Sequence, residues 1–145
     1  MTLLEQRAVE ILGVKGPKKG RAWQTLRVLV DAGLLVKTFE ALVDYANITR
    51  LDLARAANIP LRTVQRRDAS RARKFERDES DRLARVARIY AMAEDVLGSR
   101  DEAQRWMKAQ NRALDGARPL DELDTEIAAR EVEDLLGRIR CGVFG

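Results

Sequence analysis

Leu51 to Arg67, LDLARAANIPLRTVQRR, constrains the fold more tightly than any other stretch of the chain. Leu53, Ala54 and Ala57 share one helical face and leave only methyl groups where a second helix must cross. Asn58 tolerates the left-handed backbone of a tight turn, Ile59 puts an apolar side chain into that turn, and Pro60 opens the next helix with a preset φ. Val64 then anchors the second helix. The spacing predicts two short helices around a turn, a helix-turn-helix. Its second helix carries Arg62, Thr63, Gln65, Arg66 and Arg67, donors of the kind that reach guanine, adenine and phosphate oxygens from the major groove. The basic run continues through Arg71, Arg73, Lys74 and Arg77, which widens the phosphate footprint. An ordinary helical hairpin with a solvated basic face is the competing reading, and the missing Ser or Thr cap on the second helix favours it.

Helical periodicity extends over the rest of the chain. Leu4, Ala8, Ile11 and Leu12 form one face before Gly13, and a basic loop, GVKGPKKGRAW, follows as either a solvated linker or a phosphate contact. From Trp23 the period resumes through Leu26 and Val30 to Gly33; the next helix starts near Lys37, buries Phe39, Leu42, Val43 and Ala46, and closes at Asn47. In RDESDRLARVARIYAMAEDVLG, the acidic start suits a helix N-terminus, Ser80 is a candidate cap, and Leu83, Val86, Ala87, Tyr90, Ala93 and Leu97 repeat at three and four residues. Ser99 and Glu102 form a capping box ahead of a helix whose core face holds Ala103, Trp106 and Met107. Pro119 opens a short turn to Leu123, and Asp124 or Thr125 caps the last helix, with Ala128, Val132, Leu135, Leu136 and Ile139 inward. On that helix Glu126, Arg130, Asp134 and Arg138 alternate in sign four residues apart, either as a solvated ladder or as an interface.

With only three prolines and scarce aromatics among the 145 residues, the expected class is all-α. Charge divides it: residues 1–77 hold 16 Lys/Arg against 8 Asp/Glu, a balance of +8, while residues 78–145 hold 11 against 15, a balance of −4. The expected organisation is therefore a basic nucleic-acid-binding domain over 1–77 and an acidic, protein-binding domain over 78–145. The chain has no histidine, no Gly-rich phosphate loop and no metal-spaced ligands, so no catalytic residue, cofactor or metal is expected. One cysteine, no bilayer-length apolar run and no signal-like N-terminus fit the cytoplasm.

The chain finishes on RIRCGVFG. If the last helix ends at Cys141 with Gly142 left-handed, a cap would fold Val143 back against Arg138 and Gly137, neither a proper apolar partner. Phe144 then either returns to its own core or inserts into another chain.

The segment NRALDGARPLDELDTEIAAREVEDLLGRIRCGVF resembles the C-terminal, toxin-binding domain of the Xre/MbcA/ParS antitoxins. The matching elements are Asn111 to Leu114, Pro119-Leu120 with Leu123 to Thr125, Ala129 to Glu133, Leu135 to Ile139, and Gly142-Val143-Phe144. Upstream, DAGL, IPLRTVQRR and ESDRLARVARIYAMAEDVLG look like the Xre-like helix-turn-helix half, so the likeness runs from Asp31 to the C-terminus. What it implies is an antitoxin that binds operator DNA through Arg62, Thr63, Gln65, Arg66, Arg67 and Arg71. It also implies neutralisation of a RES-type, NAD-consuming toxin by covering its active site with Arg130, Asp134, Arg138, Cys141, Gly142, Val143 and Phe144. Beyond the resemblance, the Gly145 carboxylate, a fixed negative charge on a short tether, is expected to stand in for a phosphate at that site. Paired half-sites would make it a homodimer. The rival is a stand-alone repressor whose acidic half only dimerises.

Overall fold

Helix α6, Arg77–Leu97, is the axis on which the other elements are assembled. Its buried residues, among them Leu83, Val86, Ala87, Ile89, Tyr90 and Ala93, occupy most of its circumference, so it needs neighbours on every side. The computed structural model describes residues 3–14 and 26–142. Trp23, most of the basic loop, and Val143, Phe144 and Gly145 lie outside the described residues.

The described elements are helices: α1 (Leu3–Ile11), α2 (Leu26–Ala32), α3 (Lys37–Ala46), α4 (Arg50–Ala56), α5 (Leu61–Ala69), α6, α7 (Arg100–Lys108), two 3₁₀ turns at Arg112–Leu114 and Pro119–Glu122, and α8 (Glu126–Arg140). Helices α1, α2, α7 and α8 all pack on α6, and one continuous core runs from Ala8 to Leu136 across the charge division after Arg77. The first helix, which the family likeness does not reach, is bolted to α6 by Arg7, whose Nε and Nη2 donate to the Glu94 carboxylate at 3.1 and 3.0 Å.

Most helix ends obey local rules. Asn47 and Asn58 take the left-handed conformation, at φ 53 and 52°, and Gly98 closes α6 at φ 98°. Thr125, rather than Asp124, caps α8 by accepting from the Ala128 N–H at 3.1 Å. Gly33 is required twice over: its φ is 90°, and a Cβ there would stand 2.7 Å from the Phe75 carbonyl oxygen.

Two sequence expectations are corrected. Ser80 does not cap α6, because the helix begins at Arg77; the Glu76 N–H donates to the Glu79 carboxylate at 2.7 Å, and buried Ser80 instead accepts from the Leu34 N–H at 2.9 Å. On α8 the buried set is Ala129, Val132, Leu135 and Leu136, with Ala128 and Ile139 half-buried, so the inward face is rotated slightly from the expected one. Trp106 is half-buried against the core, which Ala103 and Met107 enter fully.

Candidate functional site

Two outward helix faces, on α5 and α8, carry the predicted site residues. In α5 the buried Val64 fixes the inward direction, and 100° per residue then sets Arg62, Gln65, Arg66 and Ala69 together on the opposite side, where all four are exposed. Thr63 flanks them, half-buried. Among the described residues neither Arg62 nor Arg66 pairs with a carboxylate, so both guanidiniums are available for an incoming anion. Arg71 is exposed just beyond the helix end.

Arg67 is placed differently. Its Nε and Nη2 donate to the two oxygens of Glu79 at 3.1 and 3.2 Å, and its Nη1 lies 3.5 Å from Glu76. The expected DNA donor is thus engaged with α6, where it sets the seating of α5. The turn before α5 is held in the same way, by Arg82, which donates from Nε to the Ala57 carbonyl at 2.9 Å and from Nη2 to the Asn58 carbonyl at 3.2 Å. These bonds satisfy carbonyls left over at the end of α4.

The C-terminal helices brace this unit. Arg100 and Gln104 of α7 donate to the Tyr45 carbonyl at 3.0 and 2.7 Å, and Lys108 donates to the Asn47 carbonyl at 3.0 Å, closing the end of α3. Arg100 also stacks over the Tyr45 ring, 4.6 Å from its centroid. The Tyr45 hydroxyl donates to Glu94, and burial with this carboxylate pushes its pKa up to about 12, so it remains a neutral donor. Arg118 bridges Asp52 on α4, at 3.2 Å, to Asp121 beside it, at 2.8 Å.

Helix α8 enters against α6 through buried Arg85, which donates to the Leu123 carbonyl at 2.9 Å and faces Glu126 at 3.6 Å. The expected charge ladder is realised only at its first rung, Arg130 to Glu126 at 3.7 Å; among the described residues Asp134 and Arg138 form no ion pair. Arg130, Asp134, Arg138, Cys141 and Gly142 are all exposed, and Gly142 is left-handed at φ 75°. Beside them lies a hollow of about 750 Å³ lined by Met92, Glu133, Asp134, Gly137, Arg138 and Cys141. A smaller one of about 310 Å³, lined by Glu126, Ile127, Arg130, Glu131 and Asp134, shares Asp134 with it. Ile127, which sequence reasoning passed over, is 79% exposed. Its signal was the one apolar residue out of phase with the α8 core face.

Among the described residues no group of His, Cys, Asp or Glu side chains is disposed to hold a metal ion, and no helix is long and apolar enough to cross a membrane. Residues 26–88 match the antitoxin Xre-like helix-turn-helix domain, and residues 92–142 match the antitoxin Xre/MbcA/ParS C-terminal toxin-binding domain. The two matches meet inside α6. The chain is 35% identical over 119 residues to antitoxin Xre of Photorhabdus laumondii, covering 81% of this chain and 80% of that protein. It is 36% identical over 121 residues to antitoxin Xre of Yersinia enterocolitica, covering 81% of each. With antitoxin Xre of Pseudomonas putida it shares 40% identity over 84 residues, 58% of this chain and 52% of that protein.

Proposed function

The chain belongs to the Xre antitoxin family, and from that premise we propose that it neutralises a RES-type, NAD-consuming toxin and represses its own operon. The observation that carries this reading is the division of labour between two exposed faces. One offers unpaired cations and an amide on a single helix side; the other offers unpaired charges of both signs beside shallow hollows.

On α5, Arg62, Gln65 and Arg66 read base edges while Thr63 and Arg71 hold phosphates; Arg67 acts through Glu79 as a positioning residue. A homodimer presents two such helices to paired half-sites. On α8, Arg130, Asp134, Arg138, Cys141 and Gly142 face the toxin and lead the terminal Val143, Phe144 and Gly145 toward its active-site entrance. The antitoxin contributes occlusion; NAD chemistry belongs to the partner. For the domains, 1–77 serves the operator and 78–145 the toxin, with α6 as their shared support.

The test is to co-purify the chain with the product of the adjacent reading frame and to follow NAD consumption as antitoxin is added. Stoichiometric suppression is expected. A neighbour that neither binds the chain nor consumes NAD overturns the reading.

A further inference from the structure

Gly137 stands in the interior of α8 without any reason supplied by the fold. It lies three residues inside the helix end, in ordinary helical conformation, and a Cβ built on it would meet nothing within 4 Å. Neither backbone geometry nor internal packing calls for glycine there. An interior helix glycine destabilises the helix relative to alanine because it loses more backbone freedom on folding. Gly137 lines the shallow hollow together with Met92, Glu133, Asp134, Arg138 and Cys141. Nearly three helix turns away, about 15 Å along α8, Ile127 projects into solvent almost fully and borders the second hollow. At 79% exposure Ile127 buries little apolar area within the chain.

We propose that Gly137 and Ile127 are two contact points on one toxin-docking seam: Gly137 is a gap that admits a side chain of the toxin against the α8 backbone, and Ile127 is a knob that enters an apolar seat on it. The inference rests on the proposed antitoxin reading and adds two residues to it. The seam runs Ile127, Arg130 and Glu131, Asp134, Gly137 and Arg138, Cys141, the spacing of one helix side. Its unpaired Asp134 borders both hollows, and around the Gly137 hollow Glu133 and Asp134 stand against Arg138 alone, so the rim of that hollow is net acidic. The occupant is therefore a toxin patch that puts an aliphatic side chain over Gly137, with Lys or Arg groups opposite Asp134 and Glu133. All the residues lining the Gly137 hollow lie within the region that matches the toxin-binding domain.

The glycine makes this testable, because stability and binding should move in opposite directions. In the full-length chain, Gly137→Ala is expected to raise the melting temperature by about 4 °C while weakening the toxin complex. Gly137→Leu, which fills the gap, should cost roughly 10- to 100-fold in affinity for the toxin of the same operon, measured by calorimetric titration. Ile127→Ser should lose about tenfold with no fall in melting temperature. Operator binding should be unchanged in all three. If wild-type chain binds the toxin and both glycine variants bind it equally well, the seam is wrong and the antitoxin reading survives. If wild-type chain does not bind the toxin, both fall.

Discussion

The outward faces of α5 and α8 are both exposed and both charged, but they are prepared for different partners. On α5, Arg62 and Arg66 are uncompensated, and the one arginine that turns inward, Arg67, is neutralised by Glu79 and Glu76. That leaves a flat cationic strip, suited to a polyanion whose counterions are released on binding. On α8 charges of both signs alternate around two hollows, with an exposed isoleucine at one end and a bare glycine near the other. Such a surface binds through shape and local complementarity, with a small net field. The contrast teaches that one core can carry two outward faces of different electrostatic character if each keeps its own unpaired charges.

The comparison breaks most visibly at Arg62 and Arg66. Replacing both with alanine should weaken operator binding on the order of 100-fold or more in a mobility-shift titration, at about 1–3 kcal/mol for each base contact. Toxin suppression should be unaffected. The same titration sharpens the contrast when repeated at rising salt: operator affinity should fall steeply, toxin affinity far less. Loss of toxin suppression in the double variant would mean that the two faces are not independent.

A smaller effect is expected at the other end. Deleting Val143 to Gly145 should raise the antitoxin concentration needed for half-suppression of NAD consumption by roughly 30-fold, the equivalent of one interface anchor of about 2 kcal/mol. Unchanged suppression would move the contact wholly onto α8. Glu79→Gln should come next, because it removes the charge that seats Arg67 and α5. A charge-assisted pair of this kind contributes on the order of 1–2 kcal/mol, so a fall of several degrees in melting temperature and roughly tenfold weaker operator binding are expected. Equal operator affinity in the variant would show that α5 needs no anchor.

The smallest effect lies in the brace. The Arg118 guanidinium donates to Asp121 and holds that carboxyl below the usual carboxylate range. A group with a lowered folded-state pKa contributes its stabilisation above the unfolded value and loses it as pH falls through the folded one. Asp121→Asn should therefore lower the melting temperature slightly at neutral pH, and the gap to wild type should close only well below about pH 4. A gap that closes between pH 5 and 7 would assign the effect to another group.

Much of the fold was legible in residue spacing. Asn47, Asn58, Gly33 and Gly98 stand where their left-handed conformations end helices, and Thr125 and Ser99 cap α8 and α7 by accepting from the third residue onward. Such signals are local, since an i to i+3 bond is specified within one turn of chain. Ser80 was misread because its hydroxyl answers the Leu34 N–H, 46 residues away. No local pattern distinguishes a serine that caps from one that serves a distant amide.

The sequence by itself determined the all-α class, the helix-turn-helix and the split of charge between the two halves, because these follow from periodicity, capping and composition. Only the tertiary structure decided which charges were free. It engaged Arg67 with Glu79, turned Arg82, Arg85, Arg100 and Lys108 onto backbone carbonyls, and left Arg62, Arg66, Asp134 and Arg138 without carboxylate or guanidinium partners among the described residues. Pairing between side chains dozens of residues apart depends on how helices pack around α6. The same packing made Gly137 a gap and Ile127 a projection.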